Sequence, residues 1–439
     1  MIANKDDMTD KKQQRGQFFT TSQKVQQVMV DLLENTGGKF LEPSAGAGHL
    51  VKALEDKFPN ASIDAVELDE NIVAVCDTPI QNNDFFVFAD SAEASYDVIF
   101  GNPPYVSWKA MEESSKISSA EVKKGYSEKT NLYHLFIDRC IDLLADHGEM
   151  VLIVPKEWLY SSSAGPLRKK IYESGHLSHI VDCGEEKLFA DADVPALLIF
   201  RFVKSERTSD TRVNYAENLS AALENKWEER ELVDKNSRWL LLHKELAHKV
   251  SKWGRLGDVM SVKVGIVSGL DGVFRVSGDG SQFEAETVVS YITTKGIEKF
   301  IDVNHIDKWE DVPPKTAAYL LSHKDRLISR KIAKFSEANW WKYGAIRNKT
   351  AMESDLGRVY VFGRTRSQAP FFANTTGEVY YSGGILGLFA RDENFDPTEY
   401  IDTLNSAEFR EVLEAMFLAT GTKISLQPAT LEDAPFPVS

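Results

Sequence analysis

Apolar and polar residues in the first half of the chain follow a pattern that predicts alternating strands and helices. Apolar residues recur at helical spacing over Gln23–Leu33, which predicts an amphipathic helix. A short apolar stretch, Lys39–Leu41, leads into a glycine-rich turn and then into a second helical segment, His49–Phe58. The order of strand, glycine turn and helix is typical of an α/β domain.

Further apolar segments continue this alternation. They are read as strands and comprise Ser62–Leu68, Phe85–Phe88, Tyr96–Phe100, Glu149–Val154, Ser178–Val181 and Val194–Phe202. A long helix is predicted over Asn131–Leu144. Strands that alternate with helices imply a parallel sheet with right-handed crossovers, so the first half is predicted to be α/β.

The pattern changes in the second half. Residues 204–249 are polar and charge-rich, with a predicted helix over Leu219–Glu231, and are interpreted as a connection between domains. Short strands and turns follow, and a helix is predicted over Asp396–Phe417, which favours a mixed α+β domain. We predict a flexible arm over residues 1–15, a first domain over residues 16–240 and a second domain over residues 241–439.

Length and composition narrow the class of protein. A chain of 439 residues has room for about two domains, and 43% hydrophobic with 27% charged residues is typical of a soluble globular protein. The longest apolar runs are far shorter than the ~18 residues of a membrane helix, and the start lacks the apolar core of a secretory signal. Three widely spaced cysteines (Cys76, Cys140, Cys183) favour a reducing cytoplasm.

No metal site is predicted. His176, His179 and Cys183 are the one set with superficially suitable residue types, and surface or core roles are the better interpretation of them.

Charge is distributed unevenly along the chain. Residues 1–200 hold 19 Lys and Arg against 32 Asp and Glu, whereas residues 201–439 hold 32 against 34. Residues 323–366, which we call the basic segment, carry 11 basic against 4 acidic side chains. Aromatic residues are interleaved with them (Phe335, Trp340, Trp341, Tyr343, Tyr360, Phe362). Such a segment can neutralise phosphates and contact bases, or it can be an ordinary solvated face.

The most specific string is Asn102-Pro103-Pro104-Tyr105, directly after a predicted strand. We call it the acceptor loop. Two prolines restrict the backbone and remove two N–H donors, so the loop presents the Asn102 side-chain oxygen and the Pro103 carbonyl as acceptors. Two acceptors converging on an amine attached to an aromatic ring would counteract delocalisation of its lone pair. Tyr105 offers a flat face for that ring, although a strand-ending turn is the bland alternative.

A second candidate site surrounds the glycine-rich turn. Gly46 and Gly48 follow a predicted strand and precede a helix, where the backbone can approach a ligand closely. Glu67 follows Gly46 by 21 residues at the end of the next strand, a position suited to holding ribose hydroxyls. Asp84 and Phe85 follow later in the chain. Asp84 is a candidate acceptor for the amine of an adenine, and the Phe85 ring is a candidate to cover the face of that base. The pattern departs from G-x-G-x-x-G, which disfavours a dinucleotide.

The order of these motifs resembles the TaqI-like, gamma-class N6-adenine DNA methyltransferases. The matching strings are Gly16–Thr20, Leu41–Gly46, Val66-Glu67, Asn83–Phe85, Asn102–Tyr105, Asn131–Tyr133 and Val154–Trp158, and they cover about the first 200 residues. The resemblance implies a Rossmann-like S-adenosyl-L-methionine-dependent methyltransferase domain followed by a mixed α+β target recognition domain. Thr21 departs from the family, which usually has proline there.

The resemblance also implies roles for residues. Thr20, Thr21, Glu42 and Gly46 would flank the methionine part of the cofactor, Glu67 its ribose, and Asp84, Phe85 and Phe136 its adenine; Gly48 and Asn102 complete the expected cofactor site. Asn102, Pro103 and Tyr105 would hold a flipped target adenine, with Phe189 stacking on its other face. Phe136 could equally be a packing residue.

The resulting hypothesis is a site-specific enzyme that methylates N6 of adenine in double-stranded DNA. It would be the modification enzyme of a restriction-modification system, and its expected partner is a cognate endonuclease that acts on the same site. Bases would be read in the second domain, with Arg347, Arg364, Arg366 and Gln368 as candidates. The alternatives are a methyltransferase acting on RNA adenine or on a release-factor glutamine, and a non-catalytic DNA-binding subunit.

Overall fold

The computed structural model describes most of the chain. The described residues are 20–92, 95–111, 113–184, 188, 196–206, 211–331, 335–344, 346–362, 371–374, 380–416, 419–420, 423–424 and 426–438. The chain divides into two compact units, Met1–Ser251 and Lys252–Ser439. The sequence-based boundary after residue 240 lies within the last part of the first unit.

A ten-stranded sheet forms the centre of the first unit. Its strands are β1 (Lys39–Glu42), β2 (Ser62–Glu67), β3 (Ile80–Asn82), β4 (Tyr96–Gly101), β5 (Leu144–Pro155), β6 (Gly175–Asp182), β7 (Leu197–Lys204), β8 (Arg212–Ala216), β9 (Glu228–Lys235) and β10 (Arg238–Leu242). Their order is β10-β9-β8-β6-β7-β5-β4-β1-β2-β3. Strands β1 to β5 are mutually parallel, whereas β7 lies antiparallel between β5 and β6. Strands β6 and β8 also pair in parallel, so the sheet is mixed, and the expectation of a parallel sheet holds for β1 to β5 and for the β6–β8 pair.

Helices connect the strands of the first unit. The α-helices are Gln23–Asp31, His49–Lys57, Phe85–Ser91, Glu113–Ser118, Ala120–Lys123, Leu132–Leu143, Gly165–Ser174, Leu219–Leu223 and Lys244–Val250, with short 3-10 turns at Trp108–Ala110, Lys156–Leu159 and Ser162–Ala164. Side chains from the first helix pack in one apolar cluster with alternate residues of β4 and β5. Because residues of a strand alternate in direction, the intervening positions face the other side of the sheet.

The prediction of a strand at Phe85–Phe88 was wrong. These residues begin a helix because the Asp84 carboxylate accepts hydrogen bonds from the backbone N–H groups of Phe86 and Val87, at 2.8 and 3.4 Å. An aspartate at this position satisfies N–H groups that have no partner within the first helical turn. Four consecutive apolar residues alone do not distinguish a short strand from a buried helix.

Residues 204–249 also differ from their prediction. The helix at Leu219 ends at Leu223, and the second part of the predicted helix belongs to β9. Strands β9 and β10 form a hairpin whose turn residues, Asn236 and Ser237, both have positive φ (54° and 59°). Positive φ at both positions matches the twist of an antiparallel hairpin. This segment therefore extends the sheet of the first unit.

The second unit is a mixed α+β structure. Its strands are β11 (Gly254–Arg255), β12 (Met260–Val264), β13 (Val288–Thr293), β14 (Gly296–Ile301), β15 (Arg358–Phe362), β16 (Phe371–Ala373), β17 (Leu386–Ala390), β18 (Ala419–Thr420), β19 (Lys423–Ile424) and β20 (Pro435–Phe436). The four strands β12-β17-β15-β16 form an antiparallel sheet, and β13 pairs with β14. Its α-helices are Leu256–Val259, Asp271–Phe274, Pro314–Ser322, Lys324–Ile328, Lys349–Met352, Ile401–Leu404, Ala407–Ala415 and Pro428–Glu432, with 3-10 turns at Ala285–Thr287, Trp309–Asp311 and Pro397–Tyr400.

The single long helix predicted over Asp396–Phe417 is interrupted. The first α-helical part ends at Leu404 and the second begins at Ala407. Ser406 caps the second part, because its side chain accepts from the backbone N–H of Phe409 at 3.1 Å. Among the described residues, no helix is both long and apolar enough to span a membrane.

Candidate active site

The carboxyl ends of β1 and β4 bring the two predicted motifs together. The strands are parallel neighbours with Leu41 opposite Ile99, so the turn after Glu42 and the acceptor loop after Gly101 leave the sheet at the same edge. A Cβ atom at Gly101 would lie 2.4 Å from the Glu42 Oε1 atom. Glycine at this position thus allows the β4 backbone to approach the Glu42 carboxyl.

One internal hydrogen bond and two bonds to other segments hold the acceptor loop. The Asn102 amide nitrogen donates to the Thr20 hydroxyl at 3.1 Å, and the Tyr105 hydroxyl donates to the Asn102 side-chain oxygen. The Ser44 hydroxyl donates to the Asn102 carbonyl at 3.0 Å. The loop is therefore tied to the segment before the first helix and to the turn after β1.

Tyr105 connects the acceptor loop to β5. Its hydroxyl lies 2.9 Å from the Ile153 carbonyl, and its ring makes an edge-to-face contact with Tyr133, with centroids 6.0 Å apart. Burial raises the pKa of Tyr105 well above its usual value, so the hydroxyl stays protonated and available as a donor. Averaged over all its atoms, Tyr105 is half-buried.

Glu42 is a fully buried carboxyl with an incomplete set of partners. Its Oε1 atom accepts from the Ser44 backbone N–H at 3.1 Å, whereas Oε2 has no hydrogen-bond partner among the described residues. Burial, opposed by the bonds from Ser44 and reinforced by the nearby Glu67, raises the pKa of Glu42 to about 8. A buried oxygen of this kind is suited to a donor or cation supplied by a ligand, as the ammonium of a methionine moiety would be.

The glycine turn and Glu67 meet as their spacing predicted. Gly46 and Gly48 adopt positive φ values of 54° and 82°, and the Gly46 N–H donates to the Glu67 carboxylate at 2.8 Å. The other Glu67 oxygen accepts from the Asp69 N–H at 3.0 Å. Glu67 is thus held at the end of β2 beside the glycine turn, and a carboxylate is a group that can accept from ribose hydroxyls.

Of the three residues expected at the cofactor's adenine, Phe85 and Phe136 contact each other and Asp84 directly precedes Phe85. Asp84 caps its own helix through Oδ1 and accepts from the Ser118 hydroxyl through Oδ2 at 2.9 Å. The rings of Phe85 and Phe136 are buried and stack on each other, with centroids 4.6 Å apart and an interplanar angle of 24°. The three lie close together, and their contact with adenine stays a prediction. Thr21, also expected at the cofactor, is exposed.

Several residues near the site, some of them within the matching strings, were given no role by the sequence reasoning. Tyr133 donates to Glu157 at 3.2 Å, and the neighbouring His134 is fully buried with its Nδ1 atom 3.0 Å from the Thr130 hydroxyl. Desolvation lowers the pKa of His134 to about 3, so the ring is neutral. Lys156 pairs with Asp182 at 2.8 Å at the ends of β5 and β6. Hydrophobic periodicity carries no signal for such polar pairs, although charged residues directly after buried strands hint at them.

The expected DNA-contacting residues are only partly described. Arg347 is exposed, whereas Arg364, Arg366, Gln368 and the proposed stacking residue Phe189 lie outside the described residues. Gly16–Phe19 of the first motif also lie outside them.

Arg330 of the basic segment has a structural role. Arg330 is buried and donates to the carbonyls of Leu327, Ser268, Trp340 and Lys342. Its guanidinium lies 3.8 Å from the ring centroid of Phe335. Desolvation lowers the pKa of Arg330 to about 10, so it keeps its charge at neutral pH. Arg330 therefore has to be removed from the surface charge that sequence counting assigned to this segment.

The histidines considered as metal ligands have protein partners instead. His179 contacts the Ser178 hydroxyl at 3.1 Å and the Trp227 ring at 5.0 Å, and His176 lies 3.4 Å from the Ser205 hydroxyl. Within the described parts of the chain, no group of three potential ligands is suitable for a metal ion.

Comparison with protein families adds a match over the part of the chain that carries these motifs. Residues 17–189 match the family described as Eco57I restriction-modification methylase. This chain is similar to restriction-modification methylases. The match confirms the resemblance that the motifs predicted.

Curated relatives support the same similarity. The type II methyltransferase M.HindII of Haemophilus influenzae is 23% identical over 97% of this chain and 90% of its own length. The modification methylase CviBIII of Paramecium bursaria Chlorella virus NC1A is 32% identical, over 37% of this chain and 43% of its own. The stronger identity is thus confined to a part of the chain, while the weaker one extends over both units.

A solved structure shares the fold. The Type IIL restriction-modification enzyme MmeI, solved in complex with DNA, aligns with a TM-score of 0.54 at 10% identity over 97% of this chain and 65% of that chain. The methylase match and the sheet order confirm the predicted Rossmann-like methyltransferase fold, whose cofactor is S-adenosyl-L-methionine. The orphaned oxygen of Glu42 and the glycine turn fit that cofactor.

Proposed function

We propose that this protein is a DNA methyltransferase of a restriction-modification system that methylates N6 of adenine in duplex DNA. The observation that carries the proposal is the position of the acceptor loop, whose Asn102 carbonyl bonds Ser44 of the turn after β1. The acceptors and the glycine turn therefore lie at one edge of the sheet, as a transfer between two bound molecules requires.

The acceptor loop would act on the target amine by hydrogen bonding. The side-chain oxygen of Asn102 and the carbonyl of Pro103 accept the two amine hydrogens, and neither proline has an N–H that would repel them. Bonding of both hydrogens concentrates electron density on the nitrogen and orients its lone pair. S-adenosyl-L-methionine supplies a methyl group on a positively charged sulfur. The protein's contribution is orientation together with exclusion of water.

A paired adenine in duplex DNA cannot reach this loop, so the base must be flipped out of the stack. Flipping costs a few kcal/mol, which stacking on Tyr105 offsets in part. Phe189 is the proposed second stacking residue. The second unit would select the sequence, with Arg347, Arg364, Arg366 and Gln368 as candidate contacts, and an endonuclease acting on the same sequence is the proposed partner.

The test is transfer of a tritiated methyl group from S-adenosyl-L-methionine to one of three substrates. The substrates are unmodified duplex DNA of mixed sequence, structured RNA and a release factor. We expect label in the DNA, recovered as N6-methyladenine after digestion to nucleosides. Label on RNA or protein alone would support the corresponding alternative, and absence of transfer to every substrate would favour a non-catalytic subunit.

A further inference from the structure

Thr20 and Asn102 form a contact that neither motif suggests by itself. They are 82 positions apart in sequence, yet the Asn102 amide nitrogen lies 3.1 Å from the Thr20 hydroxyl. Thr20 is almost fully buried, at 4% exposure. Its carbonyl accepts from the Gln26 side chain at 2.7 Å, which fixes the Thr20 backbone against the first helix.

The contact restrains the group on which the proposed chemistry depends. An asparagine side chain has a donor end and an acceptor end of nearly equal size, and only the acceptor end can bind the hydrogens of an amine. The nitrogen is directed at Thr20 and the oxygen at Tyr105, so the contact with Thr20 engages the donor end of the amide and not its acceptor end. Loss of the Thr20 oxygen would remove the acceptor of this amide N–H and with it one restraint on the orientation of the amide.

We infer that Thr20 is a positioning residue that holds the Asn102 amide for methyl transfer, an inference that rests on the proposed function. Thr20 would act through Asn102 and would not need to touch the reacting atoms. This role differs from contact with the methionine part of the cofactor, which the resemblance implies for Thr20, and the two roles affect different measurements.

The experiment compares Thr20→Val with Thr20→Ser. Valine has the shape of threonine without its hydroxyl, whereas serine keeps the oxygen. We expect Thr20→Val to lower the single-turnover rate about 10- to 100-fold, because small misplacements of reacting groups have effects of this size. Cofactor affinity measured by calorimetry should stay within about threefold, and Thr20→Ser should restore most of the rate. A rate that is unchanged in Thr20→Val, or a loss confined to cofactor affinity, would overturn the inference.

Two further measurements separate positioning from general damage. Thr287→Val removes an equally buried hydroxyl in the second unit, where Thr287 bonds Thr316 at 2.8 Å; it should lower the melting temperature without lowering the rate. In an Asn102→Ala background, Thr20→Val should change the residual rate less than about threefold, because residues that act as a unit are not additive. Additive losses would contradict the inference. Failure of the wild-type protein to methylate DNA would instead contradict the proposed function.

Discussion

The acceptor loop and the basic segment were both candidates for function, the basic segment with a solvated surface as its alternative, and their residues have different environments in the structure. The loop combines four residues in a fixed order, and its polar atoms meet those of Thr20 and Ser44. The basic segment was recognised by its composition, and several of its members are part of the second unit's core. An ordered motif carries geometric information, whereas a count of charges and rings does not say which of them reach the surface.

The aromatic residues of the basic segment make this difference concrete. Trp340, Trp341, Tyr343 and Tyr360 are all buried, and all four belong with Phe274 to a single apolar cluster. Aromatic rings that are enclosed in this way stabilise the unit and do not stack on bases. Contact with nucleic acid then depends on exposed cations such as Arg347.

The largest effect is expected for Asn102→Ala. Because the alanine removes the proposed acceptor, methyl transfer should fall about 1000-fold, while cofactor affinity stays within about threefold. Single-turnover kinetics and calorimetry measure the two quantities. Asn214→Ala, at an exposed asparagine of β8 in the same unit, is the matched control and should keep the wild-type rate. Near-normal methyl transfer by Asn102→Ala would contradict the functional role proposed for the acceptor loop.

Arg330→Met should reduce stability and not simply DNA affinity. The substitution removes the guanidinium that donates to carbonyls of four residues, and we expect the free energy of unfolding of the second unit to fall by about 3 kcal/mol. Urea unfolding followed by tryptophan fluorescence measures the change. The exposed Arg326→Met should change it by less than about 0.5 kcal/mol. If both substitutions lowered the free energy of unfolding equally, burial would not distinguish structural from surface arginines in the basic segment.

Glu42 gives the loop region a pH dependence. Its pKa of about 8 means that the carboxyl is mostly protonated at pH 7, and a bound ammonium would favour the carboxylate. Binding of the cofactor should therefore release a proton, and affinity should rise up to about tenfold from pH 6 to pH 7. Calorimetry in buffers of different ionisation enthalpy measures the release. Glu42→Gln should abolish it; proton release that persists in this variant would place its source elsewhere.

Arg347→Ala should have the smallest effect. For an exposed arginine that contacts phosphate, DNA affinity should fall about fivefold, or about 1 kcal/mol, to a similar extent for every sequence. The slope of affinity against salt concentration should decrease by about 1, and the melting temperature should not change. Fluorescence anisotropy with two unrelated duplexes tests this. A loss restricted to one sequence would instead identify Arg347 as a base contact.

Some features of this protein are determined by the sequence alone. Strands β1, β2, β4 and β5 and the helices that begin at Gln23, His49 and Leu132 follow from hydrophobic periodicity, because each element has to bury one face. The pairing of the glycine turn with Glu67 follows from their positions at the ends of consecutive parallel strands. The acceptor loop could be recognised because two prolines restrict the backbone whatever surrounds them.

Other features were decided only by the tertiary structure. The helix at Phe85 is an intermediate case, because its cap by Asp84 is a local feature of the sequence while the apolar residues by themselves permit a strand. Thr20 bonds Asn102, and Arg330 bonds the Ser268 carbonyl, although the residues of each pair are far apart in sequence. Hydrophobic patterning reports which face of an element is buried. The partners of a buried polar atom depend on which elements pack against it, and that is a property of the folded chain.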